Sequence, residues 1–144
     1  MDPHRLSLRI YYEDTDFSGF VYHARYLHFF ERARTEMLRA LGHDQRAMFA
    51  NAEGPEAFVV RRLGIEFIRP AVMDDIVEVR SVTTRVQGAT MQIDQRLYRG
   101  EELLCSADVQ VAYLVGGRPR RMPDGLRALF ERSAGLMPAA STNP

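Results

Sequence analysis

The chain has 144 residues, 46% of them hydrophobic and 26% charged, which is the length and composition of one globular domain. Its formal net charge of +0 gives no general attraction to nucleic acid or to an acidic membrane surface. All 19 basic residues are arginine, which excludes mechanisms that need a lysine amine, such as a Walker phosphate loop or a Schiff base.

The N-terminal residues lead directly into a predicted strand. The opening sequence MDPHRLSLRI lacks the apolar region of a secretory signal peptide, and no run in the chain approaches the roughly 20 apolar residues that cross a bilayer. From residue 5 to residue 12, apolar and polar side chains alternate as in a half-buried strand. We therefore expect a cytoplasmic protein without membrane insertion, whose first element is a β-strand.

A long helix is predicted after an acidic turn at residues 13–16. Its apolar residues recur three or four positions apart, whereas arginines and glutamates occupy other positions. This spacing predicts an amphipathic helix of about five turns that Gly42 closes. A short helical piece is expected near residues 45–49. The residues of the long helix expected to face the core are Tyr26, Phe30, Ala33, Met37 and Leu41.

Strands account for most of the remaining chain. Four segments rich in branched and aromatic residues are separated by short connections, which predicts that consecutive strands are neighbours in an antiparallel sheet. A short helix is expected at residues 123–132, and the composition of residues 133–144 suggests a flexible tail after a single domain of residues 1–132. The predicted strands span residues 57–69, 75–86, 89–99 and 103–115.

One long helix and five strands indicate an α+β fold, in which a curved antiparallel sheet wraps around a central helix. A single helix covers one face of so wide a sheet incompletely, and an uncovered edge strand tends to pair with another chain. The sequence therefore predicts a homodimer formed through the sheet, and two dimers could assemble further into a homotetramer.

Three carboxylates, Glu13, Asp14 and Asp16, lie where the first strand runs into the helix. In isolation they are typical of a solvated turn, because such residues satisfy turn backbone and favour a helix start. However, Gly19 and His23 lead into the first helical turn, where free N–H groups and the helix dipole attract an anionic oxygen. A carboxylate beside an amide that can bind an oxyanion is suited to acyl transfer.

The stretch YYEDTDFSGFVYHARYLHFFERARTEMLRALG resembles the opening motif of the hotdog-fold acyl-CoA thioesterases, in the 4-hydroxybenzoyl-CoA thioesterase family and its tol-pal-associated branch. Later pieces, FVVRRLGIEFIRPAVMDD, QRLYRGEELLCSADVQVAYL and RPRRMP, resemble the same branch. The resemblance implies a hotdog fold, a five-stranded sheet around one long helix. It also implies hydrolysis of a short-chain, branched or aromatic acyl-CoA, with coenzyme A as part of the substrate and no further cofactor.

The resemblance also implies roles for individual residues. Asp16 matches the catalytic carboxylate, acting either as a nucleophile through a mixed anhydride or as a general base toward water. The backbone N–H around His23 would polarise the thioester carbonyl. Tyr12 and the His23 side chain match positions that line the family's site. The substrate contacts expected around them come from Phe17, Gly19, Phe20 and Tyr22.

The residues after Asp16 depart from the branch. Small residues usually follow the catalytic aspartate, and a branched aliphatic residue follows the glycine, whereas this chain has Phe17, Ser18 and Phe20 there. If either phenylalanine points inward, its bulk would narrow the acyl pocket.

Two further sets of charged residues have both a functional and a structural interpretation. Glu66 could approach the site of a neighbouring subunit, as a carboxylate does in some relatives, or it could be an exposed strand residue. Arg61, Arg62 and Arg85 could bind the phosphates of coenzyme A through guanidinium contacts, or they could lie on a solvated strand face.

Other chemistry has weaker support in the sequence. Asp14, Asp16 and His23 are possible metal ligands by type, but a metal-independent site is expected. Cys105, within an apolar strand, should be buried and inert. Two other functions also fit the fold, a non-catalytic module that binds acyl thioesters or acyl carrier protein, and a hydratase that acts on enoyl thioesters.

Overall fold

The protein is described here from a computed structural model, which describes residues 2–44 and 46–134. Within that part of the chain it has an α+β architecture, in which the antiparallel sheet curves around one long helix. Short 3₁₀ turns at Tyr12–Asp14 and Ala47–Ala50 flank that helix. The elements are β1 (His4–Arg9), α1 (Arg25–Ala40), β2 (Glu56–Phe67), β3 (Ile76–Gln87), β4 (Thr90–Arg99), β5 (Glu102–Val115), β6 (Arg118–Pro119) and α2 (Asp124–Ser133).

The strand order in the sheet is β1-β3-β4-β5-β2, with the two-residue β6 paired to β5. The predicted neighbours β3–β4 and β4–β5 are confirmed, but the expectation that β2 lies beside β3 is wrong. Residues 68–75 are too long for a tight hairpin and carry the chain across one end of the sheet. There Ala71 donates its N–H to the phenol oxygen of Tyr26 at 3.0 Å, which fixes the crossing to α1. β1 and β2 are therefore the edges of the five-strand sheet.

The core lies between α1 and the concave face of the sheet. Of the predicted core residues, Tyr26, Phe30, Ala33 and Met37 are buried, and Leu41 is partly buried. α1 also buries Phe29 and Leu38, which widens the apolar stripe beyond the predicted one. The strands contribute alternate residues to the same core, as the period of a pleated strand requires. Those with the least exposure include Val79, Ile93, Leu97, Leu104 and Val109.

α2 closes one end of this core. Its Phe130 packs edge-on against Phe58 of β2 with ring centroids 5.8 Å apart, and both rings lie on the concave side. The predicted helix at residues 123–132 corresponds to α2, and residues 135–144 of the predicted tail lie outside the described residues. Neither α1 nor α2, in the described part of the chain, is long and apolar enough to cross a membrane.

Candidate active site

The acidic turn forms a small hairpin that ends beside the start of α1. The N–H of Tyr22 donates to the Asp14 carbonyl at 2.9 Å, and the N–H of Asp16 donates to the Phe20 carbonyl at 3.0 Å. Gly19 has a φ of 88°, a left-handed conformation that its missing Cβ permits. The hairpin thus places Asp16 at the base of its tip, exposed to solvent.

One oxygen of Asp16 is held by Ser18. Both the backbone N–H and the hydroxyl of Ser18 donate to Asp16 Oδ1, at 2.8 Å and 2.5 Å. These donors stabilise the carboxylate and lower the pKa of Asp16, and the nearby His23 lowers it slightly further. Asp16 Oδ2 forms no hydrogen bond with any residue in the described part of the chain. The side chain is therefore an ionised carboxylate with one free oxygen.

The other two carboxylates of the turn are bound to Arg25 at the start of α1. Asp14 is buried, and its Oδ1 accepts from Arg25 Nε at 2.6 Å while its Oδ2 accepts from the Tyr11 N–H at 2.8 Å. Glu13 accepts from Arg25 Nη2 at 2.8 Å and remains largely exposed. Asp14 and Glu13 therefore anchor the hairpin to the helix, and neither has the freedom of Asp16.

His23 lies between the hairpin and α1. The helix begins at Arg25 with Ala24 as its N-cap, two residues later than the sequence suggested. Across the described residues, no carbonyl accepts a hydrogen bond from the His23 N–H. The imidazole stacks at an angle on Tyr22 with centroids 4.5 Å apart and faces the edge of Phe67 at 6.2 Å. The start of α1 therefore offers an unused amide and an aromatic wall, and His23 is close enough to Asp16 to act electrostatically on its carboxylate.

The remaining predicted residues of the turn are exposed. Tyr12 is 80% exposed, and its carbonyl accepts from the hydroxyl of Thr15 at 2.8 Å. Phe17 is fully exposed at the hairpin tip and does not line any of the described cavities. Phe20 is about half exposed and bridges to Val72 of the crossing segment.

An apolar cavity that the sequence did not predict lies between α1 and β2. It has a volume of about 580 Å³ and occupies the end of the α1–β2 groove opposite His23. Its helix side is formed by Glu31, Arg34, Thr35, Met37 and Leu38, and its strand side by residues 56–60 of β2. No local sequence pattern could have revealed it, because its walls come from six separate elements.

Two of the three predicted phosphate-binding arginines share a pocket on the convex face of the sheet. Register pairs Arg85 with Gln92, Gln92 with Gln110, and Gln110 with Arg62, so the four form one row across the sheet. Arg62 and Arg85 line a pocket of about 260 Å³ there. Arg61 lies at a bulge of β2, outside that pocket.

Glu66 is exposed on the same convex face, where it lines a different pocket of about 380 Å³. Its neighbour Phe67 is the β2 residue that faces His23. Because successive strand residues point to opposite faces, Glu66 points away from the Asp16 site of its own subunit.

The arrangement does not suit a metal ion. Within residues 2–44 and 46–134, no three side chains of His, Cys, Asp or Glu are grouped closely enough to hold one. In particular, Asp14 is turned toward Arg25 rather than toward Asp16 and His23. Cys105 is fully buried, and burial raises the pKa of its thiol to about 12, which makes it unreactive.

Comparison with known proteins gives a consistent result. The profile of the thioesterase superfamily matches residues 18–106, more than half of the chain, including the hairpin tip, α1 and β2 to β4. Among curated proteins, the acyl-CoA thioesterase YbgC of Haemophilus influenzae is 46% identical over 125 residues, which are 85% of this chain and 90% of that protein.

Two further relatives agree with this match. The acyl-CoA thioester hydrolase YbgC of Escherichia coli O6:H1 is 40% identical over 131 residues, 89% of this chain and 96% of that protein. The crystal structure of a probable thioesterase from Bartonella henselae superposes with a TM-score of 0.80 at 42% identity, covering 84% of this chain and 99% of that one.

Proposed function

The chain belongs to the thioesterase superfamily and has its hotdog fold, and on that basis we propose that it is an acyl-CoA thioesterase whose catalytic carboxylate is Asp16. The observation that carries the proposal is an ionised Asp16, with no partner for its Oδ2 among the described residues, which interacts electrostatically with His23, whose own N–H is unused there. The Asp16 carboxylate would either attack the acyl carbon or activate a water molecule, and the His23 N–H would bind the oxyanion.

The reaction replaces the carbon–sulfur bond of the thioester with a carbon–oxygen bond. In the general-base route, Asp16 Oδ2 accepts a proton from water as the water oxygen bonds to the acyl carbon. In the nucleophilic route, Oδ2 itself bonds to the acyl carbon, and water then hydrolyses the mixed anhydride. In both routes coenzyme A leaves as a thiolate with the electron pair and is protonated by solvent.

The His23 N–H stabilises the oxyanion that develops on the acyl oxygen. One such donor typically contributes about 3 kcal/mol to transition-state stabilisation. The side chains of His23, Tyr12 and Tyr22 supply the walls around the reacting carbonyl, and the open backbone at Gly19 lets the substrate approach the hairpin. The thiolate is a good leaving group, so the mechanism requires neither a strong general acid nor a metal.

We propose that the acyl chain enters the groove between α1 and β2. The His23–Phe67 contact lies toward one end of α1 and β2, and the cavity of about 580 Å³ lies toward the other end of these two elements. Phe20 flanks Asp16 near the start of this path and influences which chains fit. Arg62 and Arg85, with Arg61 at the adjacent bulge, are proposed to bind coenzyme A phosphates, because guanidinium groups pair with phosphate oxygens.

The proposed assembly is a dimer formed by pairing of two β2 edges. On one side, β2 pairs with no strand in the described part of the chain, and it carries exposed apolar residues, including Val59, Val60 and Phe67. Antiparallel pairing about a two-fold axis sets the Phe67 end of one strand beside the Glu56 end of the other. This pairing places Glu66 of the second copy beside the Glu56 end of the first strand, away from the Phe67 end where the Asp16 site lies. Light scattering measures the mass of the particle in solution. A mass of 16.5 kDa at micromolar concentration refutes the dimer, and four times that mass indicates a tetramer.

The decisive experiment measures free thiol release from acetyl-, butyryl-, isobutyryl-, benzoyl- and hexanoyl-CoA by the wild type and the Asp16→Asn variant. Asp16-dependent release supports the proposal. Binding of acyl-CoA or acyl carrier protein without thiol release would instead identify a binding module, and hydration of crotonyl-CoA without thiol release would identify a hydratase. Activity that survives a chelator supports the metal-independent mechanism, and cell fractionation tests the proposed cytoplasmic location.

A further inference from the structure

Among the described residues, one cation, Arg34, lines the cavity between α1 and β2, where it is partly buried. Arg34 lies in the middle of α1, and burial lowers the pKa of its guanidinium. Its Nη1 donates to the Oε1 of Gln95 at 2.9 Å. No carboxylate of the described residues lies within ion-pair distance of it, and Glu31 acts on it only from farther away. A guanidinium has five N–H groups, and the bond to Gln95 is the only hydrogen bond that the Arg34 side chain makes with the described residues.

A buried polar network holds Arg34 in this position. Gln95 is fully buried on β4, and its Nε2 donates to the Phe30 carbonyl and to the Ser81 hydroxyl, both at 3.0 Å. With its amide nitrogen committed to these acceptors, the amide oxygen of Gln95 must point toward Arg34. The guanidinium is therefore oriented before any ligand binds, and this reduces the entropy lost on binding.

The rest of the cavity is largely apolar. Its other two charged residues do not neutralise Arg34, because Glu31 is exposed at the mouth and the Glu56 carboxylate accepts a short hydrogen bond from the Tyr113 hydroxyl. Among the described lining residues, Arg34 is the single cation. The apolar residues that surround it include Met37, Leu38, Met48, Phe58, Ile93, Val111 and Phe130.

The cavity and the proposed catalytic site lie beside the same two elements, α1 and β2. Leu27, Glu31, Arg34 and Leu38 are spaced at i, i+4, i+7 and i+11, so they share one face of α1. At the start of α1, Tyr26 and His23 face Phe67 of β2, and near its end Arg34 and Leu38 face residues 56–60 of the same strand. A chain that begins at Asp16 and follows this face runs toward Arg34.

A guanidinium in an apolar cavity carries a large desolvation penalty unless it is paired with an anion. We propose that Arg34 selects acyl-CoA thioesters whose acyl chain ends in a carboxylate, which it binds at the distal end of the groove. The methylene groups of such a diacid chain pack against the apolar walls, and the terminal carboxylate accepts charge-assisted hydrogen bonds from the fork of Arg34. This inference rests on the proposed thioesterase function and specifies its substrate class.

The test compares matched substrate pairs of equal chain length, succinyl-CoA with butyryl-CoA, adipyl-CoA with hexanoyl-CoA, and suberyl-CoA with octanoyl-CoA. Arg34→Gln removes the charge but keeps an amide donor for Gln95, and Arg34→Lys keeps the charge without the fork. Arg32→Gln is the control, because Arg32 is an exposed arginine of the same helix that does not line the cavity. Both kcat and KM are measured for each pair.

For at least one pair, the wild type should prefer the diacid thioester by about tenfold or more in kcat/KM. Arg34→Gln should lower kcat/KM for that diacid by about tenfold to a hundredfold, mainly through KM, and leave the neutral partner within about threefold. Arg34→Lys should retain part of the preference, and Arg32→Gln all of it.

Equal wild-type rates within every pair would overturn the inference, as would an equal loss by Arg34→Gln on diacid and neutral substrates. If Arg34→Gln does not fold, the wild-type pairs and Arg34→Lys still decide the question. Vigorous hydrolysis of neutral thioesters without any diacid preference refutes this inference and leaves the proposed function intact. Absence of Asp16-dependent hydrolysis of every thioester refutes the proposed function itself.

Discussion

Replacement of Asp16 with asparagine separates the chemistry of this side chain from its shape. Both Ser18 donors point at Oδ1, so the amide oxygen of the new side chain should take that position and keep both hydrogen bonds. The amide nitrogen then occupies the position of Oδ2, the oxygen that has no partner among the described residues. The variant thus retains the hairpin and places an N–H₂ group, which neither attacks a carbonyl nor accepts a proton, where the reactive oxygen was.

The expected loss in kcat is about 10²- to 10⁴-fold, the range for a lost acid or base, with little change in binding. Glu13→Gln is the matched control, since the Glu13 carboxylate is 71% exposed and makes only a surface ion pair with Arg25. A surface pair contributes at most about 1 kcal/mol, so kcat should fall by less than about fivefold. His23→Ala keeps the backbone N–H and should lose clearly less activity than Asp16→Asn.

The assay is the steady-state release of coenzyme A from the best substrate of the panel, with folding of each variant checked by circular dichroism. Near-normal kcat in Asp16→Asn would refute the assignment of the catalytic carboxylate. A greater loss of kcat in Glu13→Gln than in Asp16→Asn would refute the assignment equally, because Glu13 forms an ion pair with Arg25.

Three other predictions concern the same region. Because the Ser18 donors lower the pKa of Asp16, kcat/KM should fall at acidic pH only below the ordinary pKa range of an aspartate. Ser18→Ala should shift this loss of activity to higher pH, and a loss that begins near neutral pH would contradict the assignment. Asp14→Ala removes two charge-assisted hydrogen bonds from a buried carboxylate, and after allowance for the partial exposure of Arg25 it should lower the free energy of unfolding by about 2–4 kcal/mol. Urea denaturation measures this change, and a value below about 0.5 kcal/mol would show that Asp14 does not stabilise the fold. Phe20→Val should raise activity on longer acyl chains relative to short ones, whereas an unchanged chain-length profile would show that Phe20 does not contact the acyl group.

The sequence by itself determined the elements whose patterns are local. The stripe of Tyr26, Phe30, Ala33 and Met37 defined the buried face of α1, because a helix repeats its environment within a few residues. The same reasoning placed the strands to within a few residues, and the quoted motifs indicated the family that the comparisons then showed. The acidic junction was also visible, since its three carboxylates stand close together in the chain.

Tertiary structure alone decided which distant residues meet. β2 pairs with β5 rather than β3, because the connection after β2 is fixed to Tyr26 and cannot turn back as a hairpin. Asp14 and Asp16 look alike in the sequence, but Arg25 binds one and leaves the other to Ser18. Arg34 and Gln95 are 61 positions apart, and no periodicity within a short window could pair them. Such contacts depend on how elements pack across the whole core, so they emerge only when the fold brings α1 onto the sheet.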